Sequence, residues 1–325
     1  GVSFMAHTAM KPEDEFYRYL SGAPSPDDYK KAVAELLDTI GHAAANVGVT
    51  LPAPVEVTVE PLSVPATHQR LVPAYSAALI EAAGRRTEIV ALDADLILDT
   101  GLIPFRDKFP ARFVECGIAE QDMVAQAGAM ALAGLLPVVH SFACFLTTRP
   151  HEQIYNACTE GRKTIYVGTL AGILPAGPGH SHQAVRDIAS MSAMPGMTLI
   201  EPTTPTQVGA ALDWCVDKAA GSCYLRLVSI PCECPDEIAS LPLPEYGRGQ
   251  VVYEGGDVVI VAYGPVMVPQ ALRAAKLLAG EGIGVRVINL PWLNAVDGDW
   301  LLGAVAGARH LLTLDNHYIA GGQGQ

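Results

Sequence analysis

The sequence predicts an α/β protein in which a parallel-sheet domain is followed by a second, smaller α/β domain. Apolar runs that are continuous rather than alternating are separated by helical stretches, which is typical of a parallel sheet covered on both faces. After a turn-rich segment at residues 231–249 the same alternation begins again. A chain of 325 residues is long enough for two domains of about 150 residues each.

The first 66 residues precede the sheet domain. We predict a short strand at 2–5 and a helix at 26–47, where Asp27 and Asp28 favour the first turn and apolar residues recur at helical spacing. The proline-rich stretch at 51–65 excludes a regular helix. Neither end of the chain resembles a natural terminus, so we expect a piece of a longer polypeptide.

The sheet domain is predicted at 67–230 and the second domain at 247–325, apparently truncated. Five apolar runs are the predicted strands of the first sheet: 89–92, 138–139, 164–170, 197–200 and 224–228. Five helices are predicted between them: 73–83, 122–133, 150–158, 184–191 and 205–218. The second domain has predicted strands at 257–263, 285–289 and 311–315 and predicted helices at 269–279 and 300–306.

Composition narrows the class of protein. Hydrophobic residues make up 50% and charged residues 17% of the chain, yet no run approaches the roughly 20 apolar residues that span a bilayer. The first residues lack the pattern of a signal peptide, so we expect a cytoplasmic protein. A net charge of −13 argues against nucleic acid or an anionic membrane as partner. The seven cysteines form no Cys-x-x-Cys pair, so no zinc site is predicted.

The segment Gly-Ile-Ala-Glu-Gln at 117–121 leads from an apolar run into a helical stretch. Glu120 is therefore predicted in the first turn of a helix, where the helix N-terminus stabilises a carboxylate. Two interpretations stay open at this point. Glu120 either caps its own helix or hydrogen-bonds a ring nitrogen or amide of a ligand.

Loops that follow strands of a parallel sheet are where ligands bind, and five further candidates lie in or beside such loops. Phe142 and Phe145 form either an apolar platform for a ring or ordinary core packing. His180 and His182 lie in a Gly/Pro loop, where a substrate contact or acid–base role suits them better than metal binding. Arg226, inside an apolar strand, requires an anion, either a structural carboxylate or the substrate.

Taken in order along the chain, these pieces resemble the transketolase family of thiamine-diphosphate enzymes, which includes the deoxyxylulose-phosphate synthases. The motifs that carry the resemblance are Gly-Ile-Ala-Glu-Gln, the following Phe pair, the His-Gln of the loop and a late Asn-His-Tyr-Ile-Ala-Gly-Gly. The resemblance implies that 1–66 is the tail of the diphosphate-binding domain with its linker. It implies that 67–230 is the pyrimidine-binding domain and that 247–325 begins the transketolase C-terminal domain.

The resemblance also assigns roles to residues. Glu120 matches the catalytic glutamate that hydrogen-bonds N1′ of the aminopyrimidine, a contact that promotes formation of the thiazolium ylid. Phe145, with Phe142 nearby, matches the aromatic residue that stacks on the pyrimidine, and Asp95 matches an active-site aspartate near the cofactor. The remaining assignments concern substrate: His182 as a catalytic, substrate-contacting histidine, and His180 and Arg226 as substrate-binding residues.

Two departures from the family pattern lie where the sugar would bind. Family members commonly carry Asp-Gly-Pro-Thr-His-Gln before the loop histidine, whereas this chain has Pro178 in the place of the aspartate that meets a sugar hydroxyl. A histidine that helps to bind sugar phosphate aligns with Leu170. These changes predict an acceptor other than an ordinary pentose phosphate.

The resemblance implies transfer of a two-carbon ketol or acyl unit from a ketose or 2-oxo-acid donor to an aldehyde acceptor. The alternatives are a decarboxylating carboligase similar to deoxyxylulose-phosphate synthase and a non-catalytic scaffold subunit. The Gly-Asp-Gly motif that holds the diphosphate through Mg²⁺ belongs to the first domain, so the Mg²⁺ ligands are expected outside this segment. A diphosphate-binding domain or subunit is therefore the expected partner, in a homodimer or heterotetramer.

Overall fold

The computed structural model describes residues 26–49, 68–175 and 177–325, and the chain divides into two compact units, 1–63 and 64–325. The first unit contributes helix α1 (Pro26–Asn46), close to its predicted bounds. The strand predicted at 2–5 and the proline-rich stretch at 51–65 lie outside the described residues. In the described part of the chain, every helix is too short or too polar to cross a membrane.

The second unit contains a six-stranded, wholly parallel sheet in the order β3-β2-β4-β5-β7-β6. Its strands are β2 (Ile89–Asp93), β3 (Phe113–Glu115), β4 (Leu136–Phe142), β5 (Ile165–Thr169), β6 (Thr198–Ile200) and β7 (Cys223–Arg226). A separate antiparallel pair is formed by β1 (His68–Gln69) and β8 (Cys232–Glu233). Most of the central strand residues are buried, which is why these strands carry continuous apolar runs.

Helices connect the strands of this sheet. They are α2 (Leu71–Arg85), α3 (Ile103–Lys108), α4 (Glu120–Leu132), α5 (Ala143–Leu146), α6 (His151–Thr159), α7 (Asp187–Ser192) and α8 (Pro205–Asp217). Apolar residues of α4 and α6 share one buried cluster with Leu92, Val139 and Tyr166 of the sheet. The parallel-sheet fold class predicted from the sequence is therefore confirmed.

A smaller four-stranded mixed sheet follows, in the order β12-β10-β11-β9. Its elements are α9 (Asp236–Ala239), β9 (Gln250–Tyr253), β10 (Val258–Ala262), α10 (Gly264–Ala279), β11 (Val285–Asn289), α11 (Gly298–Val305) and β12 (His310–Leu314). Strands β10, β11 and β12 are parallel, and β9 runs antiparallel to β11. The second, smaller α/β domain is thus also present.

Two differences from the prediction in the smaller domain have identifiable reasons. Helix α10 begins at Gly264, five residues before Pro269, because Pro265 at its start supplies the favourable N-terminal proline and Pro269 is accommodated inside the helix. Strand β9 was not predicted, because it is a short edge strand with only partial burial.

The two sheets meet through backbone hydrogen bonds near the end of β6. The Glu201 N–H donates to the Pro291 carbonyl at 3.0 Å, and the Leu293 N–H donates to the Leu199 carbonyl at 2.9 Å. The segment after β12 reaches back to the first sheet, where the Asn316 side-chain oxygen accepts from the Ile173 N–H at 3.0 Å. The smaller sheet therefore buttresses the loop that contains the two histidines.

Candidate active site

The carboxyl ends of the parallel strands bring the predicted site residues to one edge of the large sheet. Phe142 is the last residue of β4, and Glu120 begins the helix that follows β3. The loop that follows β5 carries His180 and His182. Because the strands are parallel and in register, loops that are far apart in sequence become neighbours here.

Glu120 is the first residue of α4 and its side chain is only 4% exposed. Gly117 adopts a positive φ of 66° in the turn before it, which a residue with a Cβ would adopt only with strain. The turn is further held by the Gly117 N–H, which donates to the Glu115 carboxylate at 2.9 Å. Within the described residues, Glu120 accepts from the Arg149 guanidinium rather than from an N–H of its own helix. Among the described residues Glu120 therefore does not cap its own helix, and the ligand interpretation stays a prediction.

Phe142 and Phe145 lie side by side, with ring centroids 5.8 Å apart at 42°. Both are half-buried and pack against the apolar cluster of the sheet, so part of each ring also faces outward. Phe145 belongs to the short helix α5, whereas Phe142 ends β4, so a strand-to-helix turn brings them together. The pair contributes to the core and still presents an apolar surface at the sheet edge.

Arg149 is a site residue that the sequence analysis did not identify. Its guanidinium pairs with Glu120, and its Cζ lies 3.9 Å from the centroid of the Phe145 ring. The side chain is 41% exposed although Glu120 is nearly buried. The available signal was its position four residues after Phe145, a spacing that places the two side chains on one face of a helical turn.

The two loop histidines occupy one 3₁₀ turn but have different surroundings. His182 is half-buried, and its ring centroid lies 5.1 Å from that of Phe145 and 6.1 Å from that of Phe142. Burial, and to a lesser degree the charge of Arg149, lowers the pKa of His182 below its usual value. His180 is exposed. The structure thus brings His182, but not His180, against the aromatic pair.

Asp95 follows β2 and adopts a left-handed conformation, with φ 60°. Its backbone N–H donates to Glu115 at 2.9 Å, and burial raises the pKa of its carboxyl group. Among the described residues, no hydrogen bond joins its side chain to Glu120 or Arg149. The assignment of Asp95 to cofactor binding therefore stays a prediction.

Arg226 requires a correction. Its side chain is wholly buried, and it donates from Nε to Asp187 at 2.7 Å and from Nη1 to Glu201. Its Nη2 donates to the carbonyls of Ala184 and Asn316, at 2.9 and 2.8 Å. The sequence left a structural carboxylate or the substrate as the partner of this arginine, and the structure supplies two structural carboxylates. The substrate-binding assignment of Arg226 is replaced by a structural one.

The part of the chain that the structure describes contains no candidate metal site. Within residues 26–49, 68–175 and 177–325, no group of three or more His, Cys, Asp or Glu side chains converges as a metal site would require. The histidine pair at 180 and 182 accordingly has no acidic or thiol partners there to complete a coordination shell.

Two family models match the chain. Residues 70–229 match the transketolase pyrimidine-binding domain, and residues 247–325 match the transketolase C-terminal domain. The chain is 34% identical over 252 residues to the 6-deoxy-6-sulfo-D-fructose transketolase subunit SqwH of Clostridium sp. (strain MSTE9), covering 77% of each chain. It is 32% identical over 265 residues to 1-deoxy-D-xylulose-5-phosphate synthase of Thermomicrobium roseum. That alignment covers 80% of this chain and spans about two fifths of the synthase, 41%.

Solved structures give the same result. A structure described as a split-gene transketolase, inactive β4 tetramer, matches with a TM-score of 0.70 at 34% identity, covering 79% of this chain and 82% of the other. Transketolase from Leishmania mexicana matches with a TM-score of 0.68 at 22% identity, covering 91% of this chain and 46% of the other. The second match speaks for the fold alone.

Proposed function

This chain belongs to the transketolase family, whose members use thiamine diphosphate, and we propose that it forms the pyrimidine-binding half of a two-part ketol-transferring enzyme. The observation that carries the proposal is the position of Glu120. The nearly buried carboxylate of Glu120 lies in the first turn of α4, near the half-buried ring of Phe145. Arg149 contacts both groups. That pair of groups suits a planar ring that has both a hydrogen-bonding nitrogen and a flat face.

The donor set fits the aminopyrimidine half of the cofactor. Glu120 would accept a hydrogen bond at N1′ of that ring, and Phe145 would stack on it with Phe142 alongside. The bound cofactor would supply the nucleophilic carbon that carries the two-carbon unit. Glu120 would hold the N1′ edge of the ring in place.

The two loop histidines are proposed to contact the substrate. His182 is half-buried against the aromatic pair, and its lowered pKa favours the neutral imidazole at pH 7, which can both donate and accept a hydrogen bond. His180, exposed on the same turn, would meet the outer part of a sugar. Asp95, in the loop that follows β2, is proposed as a further residue that would bind the cofactor.

The diphosphate and Mg²⁺ are proposed to be held by a separate diphosphate-binding domain or subunit. One support is that SqwH, of which this chain covers 77%, is named a subunit. Another is that one of the matching solved structures is described as a split-gene transketolase, inactive β4 tetramer. We therefore propose that this chain acts within a homodimer or a heterotetramer and is inactive alone.

The substrate is proposed to differ from an ordinary pentose phosphate. Pro178 and Leu170 stand where the family pattern has residues that meet a sugar hydroxyl and a sugar phosphate. SqwH is named for 6-deoxy-6-sulfo-D-fructose, a ketose with a sulfonate in place of a phosphate. A sulfonated ketose is therefore the first donor to test, with 2-oxo-acid decarboxylation as the competing activity.

The test combines this chain with its diphosphate-binding partner, thiamine diphosphate and Mg²⁺. Consumption of 6-deoxy-6-sulfofructose, fructose 6-phosphate and pyruvate is followed separately, each with an aldehyde acceptor. Glu120→Ala should lower turnover by about a hundredfold or more, as expected when a group acting in proton transfer is removed. Full activity of that variant would refute the role of Glu120. Pyruvate as the preferred donor would favour the decarboxylating alternative, and failure of the wild-type complex to bind cofactor would favour the scaffold alternative.

A further inference from the structure

The Arg149 side chain makes the two contacts that the proposed function assigns to the cofactor's aminopyrimidine ring. It donates to Glu120, and its planar guanidinium lies over Phe145, with Cζ 3.9 Å from the ring centroid. A guanidinium and an aminopyrimidine have the same two features, a flat face and N–H donors at its edge. Both therefore satisfy a carboxylate beside an aromatic ring.

The two groups cannot share these contacts freely. Glu120 is only 4% exposed, so little of its carboxylate is accessible beside Arg149. Phe145 packs against the apolar cluster of the sheet, and the ring centroid of His182 lies 5.1 Å from that of Phe145 in an edge-on arrangement. Arg149 thus lies over the face of the same ring, with Cζ 3.9 Å from its centroid.

The Arg149 side chain can also move away from Glu120 and Phe145 into solvent. Its side chain is 41% exposed, so moving it into water carries a small desolvation difference. An ion pair with one exposed partner and a cation–π contact near the surface are each weak. The backbone need not follow, because the Arg149 carbonyl accepts from the Gln121 side chain at 3.2 Å independently of the guanidinium.

We propose that Arg149 is an internal placeholder for the aminopyrimidine: it pairs with Glu120 and lies over the face of Phe145, and it competes with the cofactor for both. This inference rests on the proposed function. It makes Arg149 a positioning residue whose removal tightens cofactor binding, which is the opposite of what loss of a cofactor-contacting side chain would do.

The test measures the dissociation constant of thiamine diphosphate, with Mg²⁺, for the complex of this chain and its diphosphate-binding partner. Arg149→Gln should tighten binding by about three- to tenfold, the combined size of a half-exposed ion pair and a surface cation–π contact. Arg149→Lys keeps the charge without the planar face and should give a smaller gain. Arg85→Gln is the control for loss of an arginine–carboxylate pair outside the proposed site, because Arg85 pairs with Asp213 at the surface.

The outcomes separate this inference from the proposed function. If the wild-type complex binds cofactor and Arg149→Gln binds it equally or more weakly, the placeholder is refuted while the function stands. If the wild-type complex binds no cofactor, the proposed function fails and the placeholder with it. The gain in Arg149→Gln should also shrink at high salt, because salt screens the Glu120–Arg149 pair in the wild type.

Discussion

Two carboxylate–arginine clusters lie at the same edge of the large sheet and differ in every property that decides their role. In one, Glu120 is nearly buried but its partner Arg149 is 41% exposed. In the other, Arg226 and both of its partners, Asp187 and Glu201, are 0% exposed. The first cluster, which we call open, is an ion pair in which one partner reaches solvent. The second, which we call closed, has no side chain that reaches solvent.

The closed cluster is held by more than charge. Burial alone would lower the pKa of Arg226, but the carboxylates of Asp187 and Glu201 outweigh it and the pKa lies well above its ordinary value. The Tyr224 hydroxyl donates to Asp187 at 2.8 Å, and the Asn316 carbonyl accepts from Arg226. The cluster therefore ties the strand ends of the large sheet to the segment that follows β12.

The difference teaches that an arginine and a carboxylate close together do not by themselves mark an active site. What distinguishes the two clusters is whether one partner reaches solvent. A pair with a solvent-facing partner exchanges it at small cost, whereas a fully buried set loses several kcal/mol when one member is removed.

The largest expected effect is on the closed cluster. Arg226→Met leaves two buried carboxylates without their cation, which should destabilise the fold by about 3–5 kcal/mol. Denaturant unfolding measures this loss. Arg149→Met is the matched control, and it should cost less because Arg149 is 41% exposed and only one carboxylate loses its partner. Equal losses in the two variants would erase the distinction between the clusters.

Another buried acid, Asp93, sharpens the comparison because its hydrogen-bond donors are an N–H and a hydroxyl group rather than an arginine. Asp93 accepts from the Leu96 N–H at 2.6 Å and from the Thr100 hydroxyl at 2.7 Å, and burial raises its pKa to about 7. Its folded pKa exceeds its unfolded value, so the folded state binds more protons between them. The free energy of unfolding should therefore fall as pH rises toward 7, by at most about 1.4 kcal/mol per pH unit.

The matched variant is Asp93→Asn, whose amide keeps an acceptor for Leu96 and offers a donor to Thr100. Melting curves between about pH 4.5 and 8, which cover most of the span between the two pKa values, should be flatter for this variant than for the wild type. An unchanged pH dependence would show that Asp93 is ionised throughout and that hydrogen bonds alone suffice for a buried acid here.

A smaller effect is expected at the aromatic ring of the open cluster. Phe145→Ala should weaken binding of thiamine diphosphate to the complex by about tenfold, within the range for loss of one base–aromatic stack. The matched control is Phe109→Ala, because Arg112 lies over Phe109 with Cζ 4.1 Å from its centroid. If both variants weakened binding equally, the effect would come from general loosening rather than from the Phe145 face.

The smallest effect is expected in the pH profile. Burial and Arg149 hold the pKa of His182 below its ordinary value of about 6.5, so His182 stays neutral until the pH falls below that lowered pKa. The acid limb of kcat/KM should accordingly lie below the usual histidine range. In Arg149→Gln it should move upward by a fraction of a unit, whereas in His182→Asn this limb should disappear. A limb that survives in His182→Asn would belong to another group.

Much of this arrangement follows from the sequence. The continuous apolar runs predicted the parallel sheet because strands buried on both faces need no polar alternation. The turn before Glu120 was recognisable because only glycine at 117 adopts its positive φ readily. Motifs within a single strand–turn–helix unit are local, so they survive as readable signals.

What could not be predicted depends on residues far apart in sequence. The structural partners of Arg226 come from two other elements, α7 and the end of β6, 39 and 25 positions away. Their pairing arises only when the strands assemble. Arg149 was missed for a related reason, since its role requires Glu120, 29 positions earlier. A spacing of four from Phe145 was the one local hint.

The most direct test of the central claim is the melting temperature of the complex of this chain and its partner, with and without thiamine diphosphate and Mg²⁺, in the Glu120→Gln variant. A glutamine still accepts from Arg149, so the melting temperature without cofactor should stay within about 2 °C of the wild type. The wild type should gain stability on adding cofactor, about 2.7 kcal/mol at a hundredfold excess over Kd, and the variant should lose most of that gain. An undiminished gain in Glu120→Gln would contradict the account, because the carboxylate would then have no part in holding the cofactor.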